Sequence, residues 1–93
     1  MARTASSDSV DDPLAIAFGK ALKRHREAAG LTMPQLGKKI GRQRSYIWRV
    51  EHGQSLPNLR TAAHLAAGLG IPLSELLAGV DLEGISSRDR SAG

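Results

Sequence analysis

The side chains best able to do recognition chemistry are concentrated between Gly41 and His52. Read as a short helix, RQRSYIWRVEH divides into two faces. Ile47, Val50 and Glu51 recur at spacings of three and four and share one side, while Arg44, Ser45, Trp48 and Arg49 share the other. Two guanidinium groups, a hydroxyl and an indole on one surface suit the major groove of DNA, where a guanidinium pairs with O6 and N7 of guanine. From Lys38 to Arg49 there are five cations, Lys38, Lys39, Arg42, Arg44 and Arg49, and no acid. Such a run tracks phosphates, although a face that serves only solubility has the same composition.

Charge over the whole chain is distributed to match. Residues 14 to 77 carry ten Lys or Arg against Glu27, Glu51 and Glu75, which gives +7. The first thirteen residues sum to −2 and the last sixteen to −1, which returns the overall +4. The expected folded part is basic and its flanks are not. Ninety-three residues make one small domain. With no cysteine, disulfides and thiolate metal sites are excluded. His25, His52 and His64 lack metal-ligand spacing, so no metal or other cofactor is expected. No apolar run approaches the twenty or so residues that cross a bilayer, and MARTASSDSVDD lacks the apolar core of a signal peptide. A cytoplasmic location follows as the expectation. Neither a nucleophile beside a histidine nor a glycine-rich phosphate loop is present, so catalysis is not expected. Single-strand RNA readers use aromatic stacking platforms, for which three aromatic residues are too few.

The elements that must position the basic face are legible from local signals. Residues 1 to 12 are small, polar and acidic, the composition of a mobile arm. Asp12 and Pro13 read as N-cap and first residue of a helix with Phe18, Leu22 and either His25 or Arg26 on one face, stopped by Gly30. In GLTMPQL, Thr32 caps a second helix, Pro34 is tolerated in its first turn and Gln35 completes a capping box. Leu36 and Ile40 share its buried face, and Gly41 offers the left-handed turn that ends it. Gln43 opens the third helix, which runs to about His52. Asn58 caps a fourth with the apolar stripe Leu59, Ala62, Leu65, Ala66 and Leu69, and Gly70 ends it. Pro72 starts a short fifth helix holding Leu73, Leu76 and Leu77. The segment 79 to 93 is Gly/Ser-rich and weakly patterned, apart from Val80, Leu82 and Ile85. No strand signal is present.

Taken in register, FGKALKRHREAAGLT, Leu36, IGRQRSYI, Glu51, Gly53, Pro57 and HLAAGLGIPLSELL resemble the helix-turn-helix family of lambdoid phage repressors and Cro, the XRE family, over residues 17 to 77. The resemblance implies an all-α, compact five-helix, lambda-repressor-like domain at 13 to 78, whose third helix lies in the major groove. Function is then sequence-specific binding of double-stranded DNA as a homodimer on an inverted repeat, in transcriptional regulation. By position, Arg44, Ser45, Trp48 and Arg49 fall on bases, the alternative for either arginine being a phosphate contact without sequence information. Thr32, Met33, Lys39, Arg42, Gln43, Tyr46, Asn58 and Arg60 fall on the phosphate backbone, helped by free N–H groups at the start of the second helix. Three residues depart from the family pattern, the first being His25, which stands where the family prefers an apolar residue. Met33 replaces a glutamine, and Trp48 replaces a small residue; the indole has the options of sugar, thymine methyl, Arg44 or a protein interface. Arg26 and Glu51 take the places of a structural ion pair.

Leu73, Leu76, Leu77, Val80, Leu82 and Ile85 are the candidate dimer interface. RSYIWRVEHG is also similar to the recognition helix of the controller proteins of restriction-modification systems. A further reading is an antitoxin that binds a toxin and represses its own operon; the protein partners open to the chain are a toxin or a polymerase.

Overall fold

The computed structural model describes residues 12–80, which form five helices and no strand. They are α1 Pro13–Ala28, α2 Met33–Ile40, α3 Arg44–Glu51, α4 Leu59–Leu69 and α5 Leu73–Ala78. Residues 1–11 and 81–93 lie outside the described part, and with them the expected arm and the Leu82 and Ile85 of the expected interface.

Local chemistry sets most of the helix ends. The Asp12 carboxylate accepts from the Leu14 amide at 2.9 Å, and Pro13 follows in the first turn. Thr32 and Gln35 exchange hydrogen bonds in a full capping box, and Asn58 Oδ1 accepts from Thr61 N at 2.8 Å. Gly41 and Gly70 close α2 and α4 with φ of 73° and 77°. Pro72 sits one residue earlier than expected, as the N-cap of α5 with extended ψ.

The core gathers Phe18 and Leu22 of α1, Leu36 of α2, Ile47 and Val50 of α3, Leu65 and Leu69 of α4, and Leu76 of α5. α3 packs on both α1 and α2, while α5 bridges α1 and α4. Two glycines without turn roles make this possible. A Cβ on Gly19 would fall 2.7 Å from the Glu51 carbonyl oxygen and nearer still to that of Val50; one on Gly37 would fall 2.5 Å from the Arg42 oxygen. α1 therefore crosses the last turn of α3 backbone to backbone, and α2 presses on the turn that launches α3.

Arg26 and Glu51 weld the first crossing. Arg26 Nε donates to Glu51 Oε2 at 2.6 Å, its Nη2 to Oε1 at 3.0 Å, and its Nη1 to the Leu31 carbonyl at 2.9 Å. Both residues are buried, and the hydrogen bonds it donates to Glu51 hold the Arg26 guanidinium above its ordinary pKa against the opposing effect of burial. The periodicity that left His25 or Arg26 open resolves to Arg26; His25 is half-buried beside it.

Three expectations from apolar patterning are corrected. Leu76 is fully buried, so it belongs to the core and has nothing to offer a partner. Leu73 and Val80 are half-buried against the same core, which leaves Leu77, 39% exposed, as the described residue of that set with a free apolar surface. Leu59 is 69% exposed despite sharing the stripe of α4, because it begins that helix a turn ahead of Ala62, past the end of the core.

Candidate nucleic-acid interface

α3 is held from beneath and left open above. Its inner residues Ile47, Val50 and Glu51 are buried against α1 and α2, which fixes both its axis and its rotation. The outer residues Arg44, Ser45, Trp48 and Arg49 are exposed and together line one shallow hollow of about 360 Å³. All four expected base-contacting side chains thus converge on one spot. Arg44 and Ser45 are on the first turn of α3, the part of a recognition helix that enters deepest.

Trp48 has an intramolecular partner that is not among those open to it in the sequence. Its ring lies on that of His52, with centroids 3.8 Å apart and planes 17° from parallel. His52 Nδ1 is 2.8 Å from the Trp48 carbonyl oxygen. A carbonyl only accepts, so Nδ1 carries the proton and Nε2 faces away from that bond. His52 is a residue that sequence reasoning missed. The signal was its position four after Trp48, which puts it on the same stripe one turn further.

Around this centre the other cationic and polar groups form a rim. Arg42 stacks over the Tyr46 ring with its guanidinium carbon 4.2 Å from the centroid, and Arg49 lies 5.9 Å from the same centroid. Both guanidinium groups are thus partly ordered before any ligand arrives. Burial raises the Tyr46 phenol above its ordinary pKa of 10.0, and the charges of Arg42 and Arg49 pull partly against it. The hydroxyl is protonated at neutral pH and available to donate. Gln43 caps α3 with its backbone but makes no side-chain cap bond, which leaves its carboxamide free to reach outward. Lys39, Asn58 and Arg60 are exposed as well, although Asn58 Oδ1 is engaged by Thr61.

The start of α2 offers less than the sequence suggested. The Thr32 amide is taken by Gln35 Oε1 and the Gln35 amide by Thr32 Oγ1, while Pro34 has no N–H at all. In the first turn only the Met33 amide is left for an anion, together with the hydrogen of the exposed Thr32 hydroxyl. The Met33 side chain packs against the core, so it is the backbone of that residue, and not its thioether, that a phosphate would meet. Among the described residues no group of His, Cys, Asp or Glu is placed to hold a metal ion.

A basic outer face on the second helix of a pair joined by the three residues Gly41, Arg42 and Gln43 defines a helix-turn-helix. The sequence model of the helix-turn-helix domain matches residues 17–78; the chain belongs to that family, as a DNA-binding regulator of the XRE type. Over 69 residues it is 35% identical to the control protein C.MunI of Mycoplasma sp, a match that spans 73% of this chain and 93% of that protein. The restriction-modification controller protein C.AhdI from Aeromonas hydrophila has a similar structure, with TM-score 0.65 and 37% identity, over 67% of this chain and 90% of that one. The clp gene regulator ClgR from C. glutamicum shares the fold, with TM-score 0.70 and 24% identity over 72% of this chain and 87% of that one.

Proposed function

We propose that this protein regulates transcription by binding double-stranded DNA in a sequence-specific manner, as a homodimer on an inverted repeat. The observation that carries the reading is the convergence of Arg44, Ser45, Trp48 and Arg49 on one exposed hollow of a helix whose opposite side is locked into the core. Arg44 and Arg49 read guanine edges. Lys39, Arg42, Gln43, Tyr46, Asn58 and Arg60, with the Thr32 hydroxyl and the Met33 amide, hold phosphates and set the register. One recognition helix spans only a few base pairs, so a second copy about one helical turn away supplies the remaining specificity.

The dimer contact in this reading comes from Leu77 and the segment 79 to 93, with residues 13 to 78 as the DNA-binding unit. Action is by binding and not by catalysis, inside the cell where the DNA is. Among the described residues no helix is long and apolar enough to cross a membrane.

Within regulation, control of a restriction-modification system is the narrower reading. A relative at 37% identity is named a restriction-modification controller protein, and one at 35% a control protein. An operator beside this chain's own gene, next to an endonuclease and a methyltransferase, would support it.

The site assignment is tested on a duplex recovered by selection and on its single-base-pair variants. Arg44→Ala should lose about 1 to 3 kcal/mol of discrimination at one base pair of each half-site. Lys39→Ala should weaken all duplexes alike and flatten the slope of log K against log salt by about one. Equal losses on every sequence from both variants would remove Arg44 as a reader.

A further inference from the structure

The hollow on α3 contains one apolar surface among charged and polar ones, and that surface is already fixed. Trp48 is 38% exposed and lines the hollow with Arg44, Ser45 and Arg49. His52 does not line it, yet its ring lies 3.8 Å from the indole and almost parallel to it. The imidazole therefore backs the indole from outside the hollow. Its own freedom is removed by the 2.8 Å hydrogen bond from Nδ1 to the Trp48 carbonyl. An indole left alone on a helix surface samples several rotamers; this one is held by a second ring that is itself tied to the backbone of the residue it supports.

Of the groups that base pairs present in the major groove, the 5-methyl of thymine is the apolar one. Two guanidinium groups suited to guanine flank the indole, and none of the other three side chains of the hollow presents a broad apolar face. Resting on the DNA-reading role proposed above, we infer that Trp48 reads a thymine methyl next to the guanine contacts and that His52 is the residue that positions it. His52 makes no base contact in this arrangement. Each half-site then contains a thymine whose identity matters through its methyl group.

The test uses the duplex recovered by selection, with its thymines replaced one at a time by uracil, which differs only in lacking the methyl. For the unaltered protein, one replacement per half-site should weaken binding about fourfold, the effect of one apolar carbon returned to water. His52→Ala should bind the thymine duplex about fourfold more weakly and no longer distinguish it from the uracil duplex. His52→Phe keeps a flat ring behind the indole but loses the tie to the Trp48 carbonyl, and it should restore part of the preference for thymine. A merely structural role for His52 would lower affinity for both duplexes and leave their ratio unchanged. A flat uracil scan with the unaltered protein overturns the inference, as does a wild-type ratio in His52→Ala or no recovery in His52→Phe. If selection recovers no preferred sequence at all, the DNA-reading role itself fails and the inference falls with it, a result distinct from a flat scan on a selected duplex.

Discussion

Tyr46 is the single tyrosine of the chain, so an ultraviolet titration of the phenol reports one position in the rim of the site. Burial raises its pKa in the folded protein. A raised value adds stability that is fully present below the ordinary pKa of 10.0 and is lost as the pH climbs through the folded value. We expect the phenolate to appear above pH 10, and Tyr46→Phe to melt less steeply with rising pH in that range than the unaltered protein. A midpoint below 10 would mean that the attraction of Arg42 and Arg49 outweighs burial. The identities of Arg44, Ser45 and Arg49 as outer residues were legible in the sequence, because helical spacing alone separates them from Ile47 and Val50. The stack of Trp48 on His52 was not. Spacing says which side chains are neighbours, whereas ring orientation depends on rotamers and on a hydrogen bond made just past the helix end.

Helix boundaries were legible for a similar reason: Asp12, Thr32, Asn58, Gly41 and Gly70 act on backbone groups within four residues of themselves. Tertiary placement was less so. A six-residue helix such as α5 shows the same leucines whether its apolar side is covered by its own chain or by another, and only the packing assigns Leu76 to the core. Gly19 carried no visible signal, since what excludes a side chain there is the backbone of α3, more than thirty positions later. In an exposed helix interior a change from Gly to Ala gains about 1 kcal/mol from propensity. Here the clash with two carbonyl oxygens dominates, and Gly19→Ala should destabilise by about 1 to 3 kcal/mol in a denaturant melt; a stabilised variant would disprove the close crossing. Glu51→Ala strands a buried guanidinium and should cost about 3 to 5 kcal/mol. A melt unchanged from that of the parent would show that the ion pair does not secure α3.

Taken as a whole, the molecule places its positive charge on the part that carries the helices, with +7 on residues 14 to 77 and a slight negative excess on both flanks. In the proposed function, phosphate attraction draws the domain to any duplex, and the hollow on α3 selects among them. Attraction of the first kind falls steeply with salt, while direct reading of base edges persists. The two contributions are separable by ionic strength, and a symmetric protein leaves a symmetric imprint on what it selects. Selection of duplexes from a random pool at about 150 mM salt, where nonspecific attraction is already weakened, isolates the sequence reading by α3. A dimer that reads guanines through Arg44 and Arg49 should recover an inverted repeat with guanines in each half-site and centres about 34 to 36 Å apart along the helix. A recovered pool no different in sequence from the starting one would contradict that reading, and would reduce the basic face of α3 to a nonspecific surface.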